Sequence, residues 1–343
     1  MSADVWVEAD GAWWGSGALG PCLARLSGGL VAELAAAGQL TIPAGVTPVP
    51  LAGTLLPGLI DWHAHAGLVD LAAVRAGGIG TVRDLGWPPA RVAALAEAAA
   101  RRGSGLPAVR LAGAFLSAPG GYPAGRDWAP PGSVRAVADP AEAADAVAEQ
   151  AALGACVVKL TLNAEAGPVP PPAVVEAVVA AAAGHGLDVA AHAQGAGQAE
   201  LAWRCGVAEL AHAPWTERLD DALVAAMAAA MTWVGTFDIH GYGAPAPALE
   251  VALDNASRFV AAGGRLRYGT DLGNGPLPLG VNAREVRAMQ RAGLDPDGVL
   301  AAMALEPGEA PPAWVPGRLE LDPDGFAASL AGARVLDVME PAA

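Results

Sequence analysis

From residue 55 onward, short runs of aliphatic and β-branched residues alternate with longer alanine-rich runs, and glycine or proline marks most of the joints. The short runs fall at Leu55–His63, Gly80–Leu85, Ala108–Leu116, Cys156–Leu162, Leu187–Ala193, Val207–His212, Thr232–Asp238 and Arg265–Asp271. Between and after them lie Leu71–Gly77, Pro89–Arg102, Pro140–Leu153, Pro172–Gly184, Gln198–Cys205, Asp220–Ala230, Leu249–Gly263 and Asn282–Gly293. Several of these longer runs open on proline or aspartate and close at glycine, as helix ends prefer. Strands that alternate with helices build a parallel sheet wrapped by those helices. Eight such units over residues 55–310 predict a (β/α)8 barrel.

Two segments stand outside the alternation. Residues 1–54 hold β-type pieces such as Val5–Val7 and Gly53–Leu56, and residues 311–343 hold Arg318–Leu321 and Arg334–Val338. They are expected to meet as a small flanking β-structure. The stretch Ser117–Ser133 is rich in glycine and proline but carries Tyr122, Arg126 and Trp128. It reads equally as a lid beside a site or as a solvated connection whose aromatics pack locally.

Composition narrows the partners. The 343 residues carry a net charge of −15, which repels phosphate backbones and anionic membranes and leaves small molecules as the expected ligands. No apolar run reaches the roughly 18 residues of a membrane span. The start, Met1-Ser2-Ala3-Asp4-Val5, is acidic and lacks the basic end and apolar centre of a secretory signal, so cytoplasmic residence is expected. Cys22, Cys156 and Cys205 are far apart and read as reduced core thiols. Homo-oligomerisation stays open.

The candidate chemistry begins with a single amine. Lys159 is the only lysine among 20 basic residues, and it sits in the apolar run Val157-Val158-Lys159-Leu160. A buried lysine can lose its proton, with a pKa falling to about 5–6, whereas arginine cannot. A neutral amine can form a Schiff base, act as a base, or add carbon dioxide to become a carbamate that bridges metal ions. Four of the six histidines fall at ends of predicted strands: His63 and His65 at the first, His192 at the fifth and His212 at the sixth. Residues two apart on a strand share a face, so His63 and His65 enter the barrel mouth together. Asp271 ends the eighth strand. Imidazoles and a carboxylate converging on the carboxyl ends of barrel strands suit zinc or a similar divalent ion with a position left open for water.

The segment Pro57-Gly58-Leu59-Ile60-Asp61-Trp62-His63-Ala64-His65 resembles the first-strand signature of the amidohydrolase superfamily. Lys159, His192, His212 and Asp271 in Gly269-Thr270-Asp271 follow in that family's order, and Thr81-Val82-Arg83-Asp84 resembles its second strand. The resemblance spans roughly residues 50–305 and is nearest to the imidazolonepropionase-like and prolidase-like branch. It implies two divalent ions, zinc foremost, with His63, His65 and Asp271 on one, His192 and His212 on the other, and Lys159, carboxylated by CO2, bridging both with a hydroxide. Asp271 would pass the proton of that hydroxide to a leaving nitrogen. The family's terminal strand pattern is eroded here to Pro316-Gly317-Arg318-Leu319 and Ala327-Ala328-Ser329-Leu330.

The expected activity is hydrolysis of a C–N bond in a small molecule such as a cyclic amide, N-acyl amino acid or dipeptide. A mononuclear deaminase or lactonase on the same barrel, or a non-catalytic relative, are the alternatives. Deaminases add a glutamate beside the fifth-strand histidine, where this chain has Ala193-Gln194-Gly195. Substrate contacts are expected from Tyr122, Arg126, His240 and Tyr242, with Arg126 pairing a carboxylate and Trp128 and Trp215 adding apolar wall. Asp61 reads as a partner for an imidazole or as a local turn residue, and His185 as a helix cap.

Overall fold

The computed structural model describes residues 4–15 and 17–337. Five strands come first: β1 (Val5–Trp14), β2 (Gly17–Leu19), β3 (Cys22–Ser27), β4 (Leu30–Ala36) and β5 (Val49–Leu56). Ten follow in the alternating region: β6 (Ile60–Ala64), β7 (Thr81–Asp84), β8 (Ala108–Leu111), β9 (Phe115–Ser117), β10 (Val134–Ala136), β11 (Val158–Asn163), β12 (Val189–Gln194), β13 (Glu209–Leu210), β14 (Thr232–Val234) and β15 (Arg265–Arg267). The last two are β16 (Ala313–Pro316) and β17 (Arg334–Val335).

One sheet joins the two ends of the chain in the order β17–β16–β5–β1–β3–β4, with β2 on β1. Alternate residues of β3 and β5, Cys22, Ala24 and Leu26 with Leu51 and Leu55, bury against Val7, Ala9 and Ala12 of β1. That period of two is what a sheet with one covered face requires. The C-terminal partner of β5 is Ala313–Pro316 rather than Arg318–Leu321, which forms no strand, and Val338 lies outside the described residues. Pro323–Leu330 is instead a helix, capped by Asp322, as is Pro296–Met303, capped by Asp295. Neither helix is expected from the alternation alone.

The alternating region is mixed α/β with parallel sheets. One runs β10–β9–β11–β12–β13–β14–β15 and the other β6–β7–β8. Every residue of β7 and β11 is buried. Strands covered on both faces usually read as apolar runs, and here Arg83, Asp84 and Lys159 interrupt them as buried polar groups. Backbone hydrogen bonds also cross between the two sheets. Cys156 N donates to Leu111 O at 2.8 Å, and Leu272 N donates to His63 O at 3.2 Å while His65 N donates to Leu272 O at 2.7 Å.

Several predicted strands are shorter or broken, for local reasons. Leu55–His63 divides at Pro57-Gly58, where a side chain on Gly58 would lie 2.6 Å from the Ala310 Cβ. Ala108–Leu116 breaks at Gly113, which has φ +84° and leaves the space that the Gln150 side chain enters to accept from Ala114 N at 2.9 Å. Thr232–Asp238 stops at Val234, and Phe237–His240 is a 3-10 turn. The helices sit close to expectation, with Asp70, Asp139, Asp220 and Asn282 accepting from first-turn N–H groups. Helix residues Val147, Val174 and Val178 pack with strand residues Val158 and Leu160 in the main core.

Cys22 and Cys205 are buried free thiols, but Cys156 is exposed, because it precedes β11 at the end of the sheet away from the histidines. No helix among the described residues is long and apolar enough to cross a membrane.

Candidate metal centre

One cavity of about 310 Å³ is lined by His63, His65, Lys159, His192, His212 and Asp271 together. His63 belongs to β6, Lys159 to β11 and His192 to β12, while His65, His212 and Asp271 lie just past β6, β13 and β15. All are buried. The sheet register sets Thr161 beside His192, so Lys159 lies one layer deeper than the imidazole on the neighbouring strand.

The six groups sort into two clusters and an amine. His63 Nε2 and His65 Nε2 each lie 3.1 Å from Asp271 Oδ1. These three residues offer ligand atoms within 4.8 Å of one another. His192 Nδ1 lies 3.0 Å from His212 Nε2. The His63 and His212 rings connect the clusters, with centroids 4.6 Å apart. Lys159 Nζ is buried without a hydrogen-bond partner among the described residues.

The outer nitrogen of each imidazole decides its tautomer. His63 Nδ1 is 2.7 Å from Ala211 O, and His65 Nδ1 is 3.2 Å from Gly86 O. His212 Nδ1 is 2.9 Å from Thr236 Oγ1, and His192 Nε2 is 3.0 Å from Gln194 Oε1. Carbonyl oxygens only accept, so each of these nitrogens but the one facing the Thr236 hydroxyl must carry the proton. The hydroxyl can donate or accept. The inward nitrogens His63 Nε2 and His192 Nδ1 are then free to accept. His192 Nδ1 and His212 Nε2 either share a proton in an N–H···N hydrogen bond or, with Thr236 accepting from His212 Nδ1, present two lone pairs to a cation. Asn163 and Thr236 were not singled out in the sequence; Gln194 lies two residues from His192 on one strand face, a spacing that gives its role away.

Burial favours the neutral state of three of the imidazoles. It pushes His63 and His212 well below the usual imidazole range and His192 down to about 4. His65 moves the other way: burial lowers it, but the hydrogen bond and charge of Asp271 outweigh that and raise it. Burial likewise lowers Lys159 to about 7, although the Asp271 carboxylate opposes it, so the amine is partly free at neutral pH. For Asp271 burial opposes ionisation, but the imidazoles of His63 and His65 beside it outweigh that and hold it well below the carboxylate range. Neutral imidazoles, an ionised carboxylate and a deprotonable amine are the forms that bind metal. Asp271 sits at φ +56°, a backbone state that bulky residues avoid, and Asn274 Nδ2 donates to its Oδ2 at 2.8 Å.

The remaining predicted residues divide. Tyr122, His240 and Tyr242 line the cavity, as do Trp128 and Trp215. Tyr122 stacks on His192 with centroids 5.2 Å apart, and Trp128 lies 5.9 Å from His65, so the 117–133 segment covers the imidazoles. Arg126 is exposed and does not line the cavity; its guanidinium lies 5.8 Å from the Tyr122 ring centre. Asp61 accepts from His63 N and from Thr270 N and Oγ1, so it ties β6 to the segment before Asp271 and touches no imidazole ring. His185 caps the helix Pro172–Gly184 and is exposed. Phe115, Ile239 and Asn274 complete the lining unannounced by any motif.

No family model matches the chain, and no curated protein matches it in sequence. Solved structures do match its shape. A Xaa-Pro dipeptidase with bound methionine superposes with a TM-score of 0.78 at 19% identity, covering 96% of this chain and 97% of that one. The chain has the fold of the amidohydrolase and prolidase structures. An ochratoxinase from A. niger gives 0.78 at 19% identity with 97% and 94% covered, and a putative prolidase from Bifidobacterium longum gives 0.77 at 19% with 96% and 92%. Those coverages extend the likeness to the flanking sheet as well as the alternating region, consistent with the resemblance carried by the His63–His65 segment.

Proposed function

We propose that the chain is a metal-dependent hydrolase of amide C–N bonds in small molecules. The observation that carries the reading is the convergence of His63, His65, His192, His212, Asp271 and the Lys159 amine, which has no partner among the described residues, on one cavity, with His192 Nδ1 and His212 Nε2 3.0 Å apart. The donor set fits two divalent ions, zinc foremost: His63, His65 and Asp271 for one, His192 and His212 for the other, with a carboxylated Lys159 between them. The backbone hydrogen bonds that cross between the two parallel sheets favour their closure into a (β/α)8 barrel with these residues at its mouth.

Bound divalent ions lower the pKa of water to about 7 and polarise a carbonyl. The chain's own groups supply the rest. Asp271, held ionised, is placed to take a proton from water and return it to the departing nitrogen. His240 Nε2 is buried without a partner among the described residues, and burial lowers its pKa to about 4. It therefore enters as a neutral donor toward the substrate carbonyl. Tyr122 and Trp128 cover His192 and His65 and keep bulk water away.

Elemental analysis of the purified protein, followed by hydrolysis of an amide and lactone panel after zinc loading, tests the reading. The expected result is bound transition metal and release of free amine. A metal-free protein that gains no activity on zinc loading would overturn it.

A further inference from the structure

The walls of the cavity differ in chemistry from its floor. The floor holds the imidazoles, Lys159 and Asp271; the walls are Phe115, Tyr122, Trp128, Trp215, Ile239 and Tyr242. A second lobe of about 210 Å³ meets the first at His65 and Asp271 and continues past Leu68, Trp128, Gly273 and Gly275. The lobes also share Tyr122, Trp128 and Asn274, so together they form one largely apolar-walled space beside the residues that would act on a scissile bond.

Apart from the ions that the floor would hold, neither lobe offers a cation for a substrate carboxylate. Among the described residues lining them there is no arginine, and the single lysine is Lys159 on the floor. Arg126 is exposed beside the Tyr122 ring. Thr161, Asn274 and Gln194 in the walls are already engaged, and His240 Nε2, which has no partner among the described residues, is a neutral donor. Thr161 Oγ1 donates to Tyr122 O at 2.6 Å, and Asn274 Nδ2 donates to Asp271 Oδ2 at 2.8 Å. Gln194 accepts from Asn163 and donates to the Glu165 carboxylate at 2.8 Å, which adds an anion near the site. A net charge of −15 over the whole chain acts in the same direction. A carboxylate carried into such walls would lose its hydration with no cation to replace it.

We propose, resting on the hydrolase reading above, that the substrate is an uncharged amide with apolar or aromatic substituents, and that N-acyl amino acids and dipeptides are poor substrates. Water adds to the carbonyl carbon, the C–N bond breaks, and the products are a carboxylic acid and an amine. The same absence of a wall cation that rejects a charged substrate favours release of the acid.

The test uses pairs that differ only by a carboxylate: N-acetyl-2-phenylethylamine against N-acetyl-phenylalanine, and benzanilide against 4-carboxybenzanilide. With the zinc-loaded protein, kcat/KM for the neutral member should exceed that of its partner by about 100-fold or more, as an unpaired buried carboxylate implies. Equal rates, or preference for the carboxylates, would overturn the inference. Leu68→Arg adds a cation to the second lobe and should narrow the gap for N-acetyl-phenylalanine at least about tenfold; an unchanged ratio counts against the assignment of that lobe. If neither series is hydrolysed, the hydrolase reading fails on its own. Calorimetric titration of the same four compounds into the purified protein still decides this inference, since tighter binding of the carboxylates sinks it.

Discussion

His192 Nδ1 faces His212 Nε2 across 3.0 Å, while the outer nitrogen of each ring is held by Gln194 and Thr236. Two ring nitrogens at that distance share a proton, or take up a metal ion once Thr236 accepts from His212 Nδ1 and leaves Nε2 free. The outer partners are thus part of the site, because they decide which nitrogen is free.

Thr236→Val tests this directly. The substitution keeps the shape of the side chain and removes the acceptor for His212 Nδ1. Metal affinity should fall by about 10–100-fold, the usual cost of losing such a partner. Competition with a chromophoric chelator measures it, with circular dichroism confirming that the fold is retained.

Asp271→Asn separates holding metal from moving protons. Asparagine keeps an oxygen toward His63 and His65 but cannot accept a proton. Turnover should fall by about 10²–10⁴-fold, with KM changed far less and His192 and His212 still able to hold metal. Steady-state kinetics on the best substrate of the panel, read beside metal content, checks both halves.

Glu285 gives a pH signature away from the candidate ligands. Burial raises its carboxyl to about 8 from an ordinary 4.5, although Asp238 N donates to it at 2.9 Å. The native state therefore holds a proton that the unfolded chain releases between pH 4.5 and 8. Stability contributed by this group is full below 4.5, declines as pH rises through that window, and is lost above it. Glu285→Gln should remove the decline and raise stability at pH 8 by up to a few kcal/mol. Urea denaturation of the metal-free protein across the window measures the slope.

Glu209 bridges two arginines at the other end of the strands. It accepts from Arg83 and, at 2.6 Å, from Arg267, whose guanidinium lies 3.9 Å from the Trp62 ring centre. Glu209→Ala leaves the buried Arg83 unpaired and should cost about 3–5 kcal/mol. Chemical denaturation reads this as a shifted midpoint with an unchanged slope.

The sequence displayed the strands because buried parallel strands are short apolar runs bounded by glycine and proline, as at Val158–Asn163. It displayed His63, His65, His192, His212 and Asp271 because each stands at or near the end of such a run, and Lys159 because it is the only lysine and lies inside one. Strand length was less legible. Gly113 gives way to Gln150, thirty-odd residues later in the chain, and no local pattern announces that contact. The position of Arg126 outside the cavity lining was hidden for a related reason: a loop rich in glycine and proline fixes the direction of a side chain only through tertiary contacts, here those that place Tyr122 over His192 and leave the guanidinium exposed. The left-handed backbone at Thr236, Tyr242 and Asp271 was equally hidden, since threonine and tyrosine avoid it and aspartate, though enriched there, adopts it only in a minority of cases.

The central claim is that six side chains form a two-ion site bridged by Lys159. Metal content of the wild type against Lys159→Ala, measured by plasma mass spectrometry on protein purified without chelators, tests it most directly. The account predicts close to two divalent ions per wild-type chain and a marked loss in the variant. Full occupancy in Lys159→Ala, or a wild type that takes up no metal even from excess zinc, would contradict it.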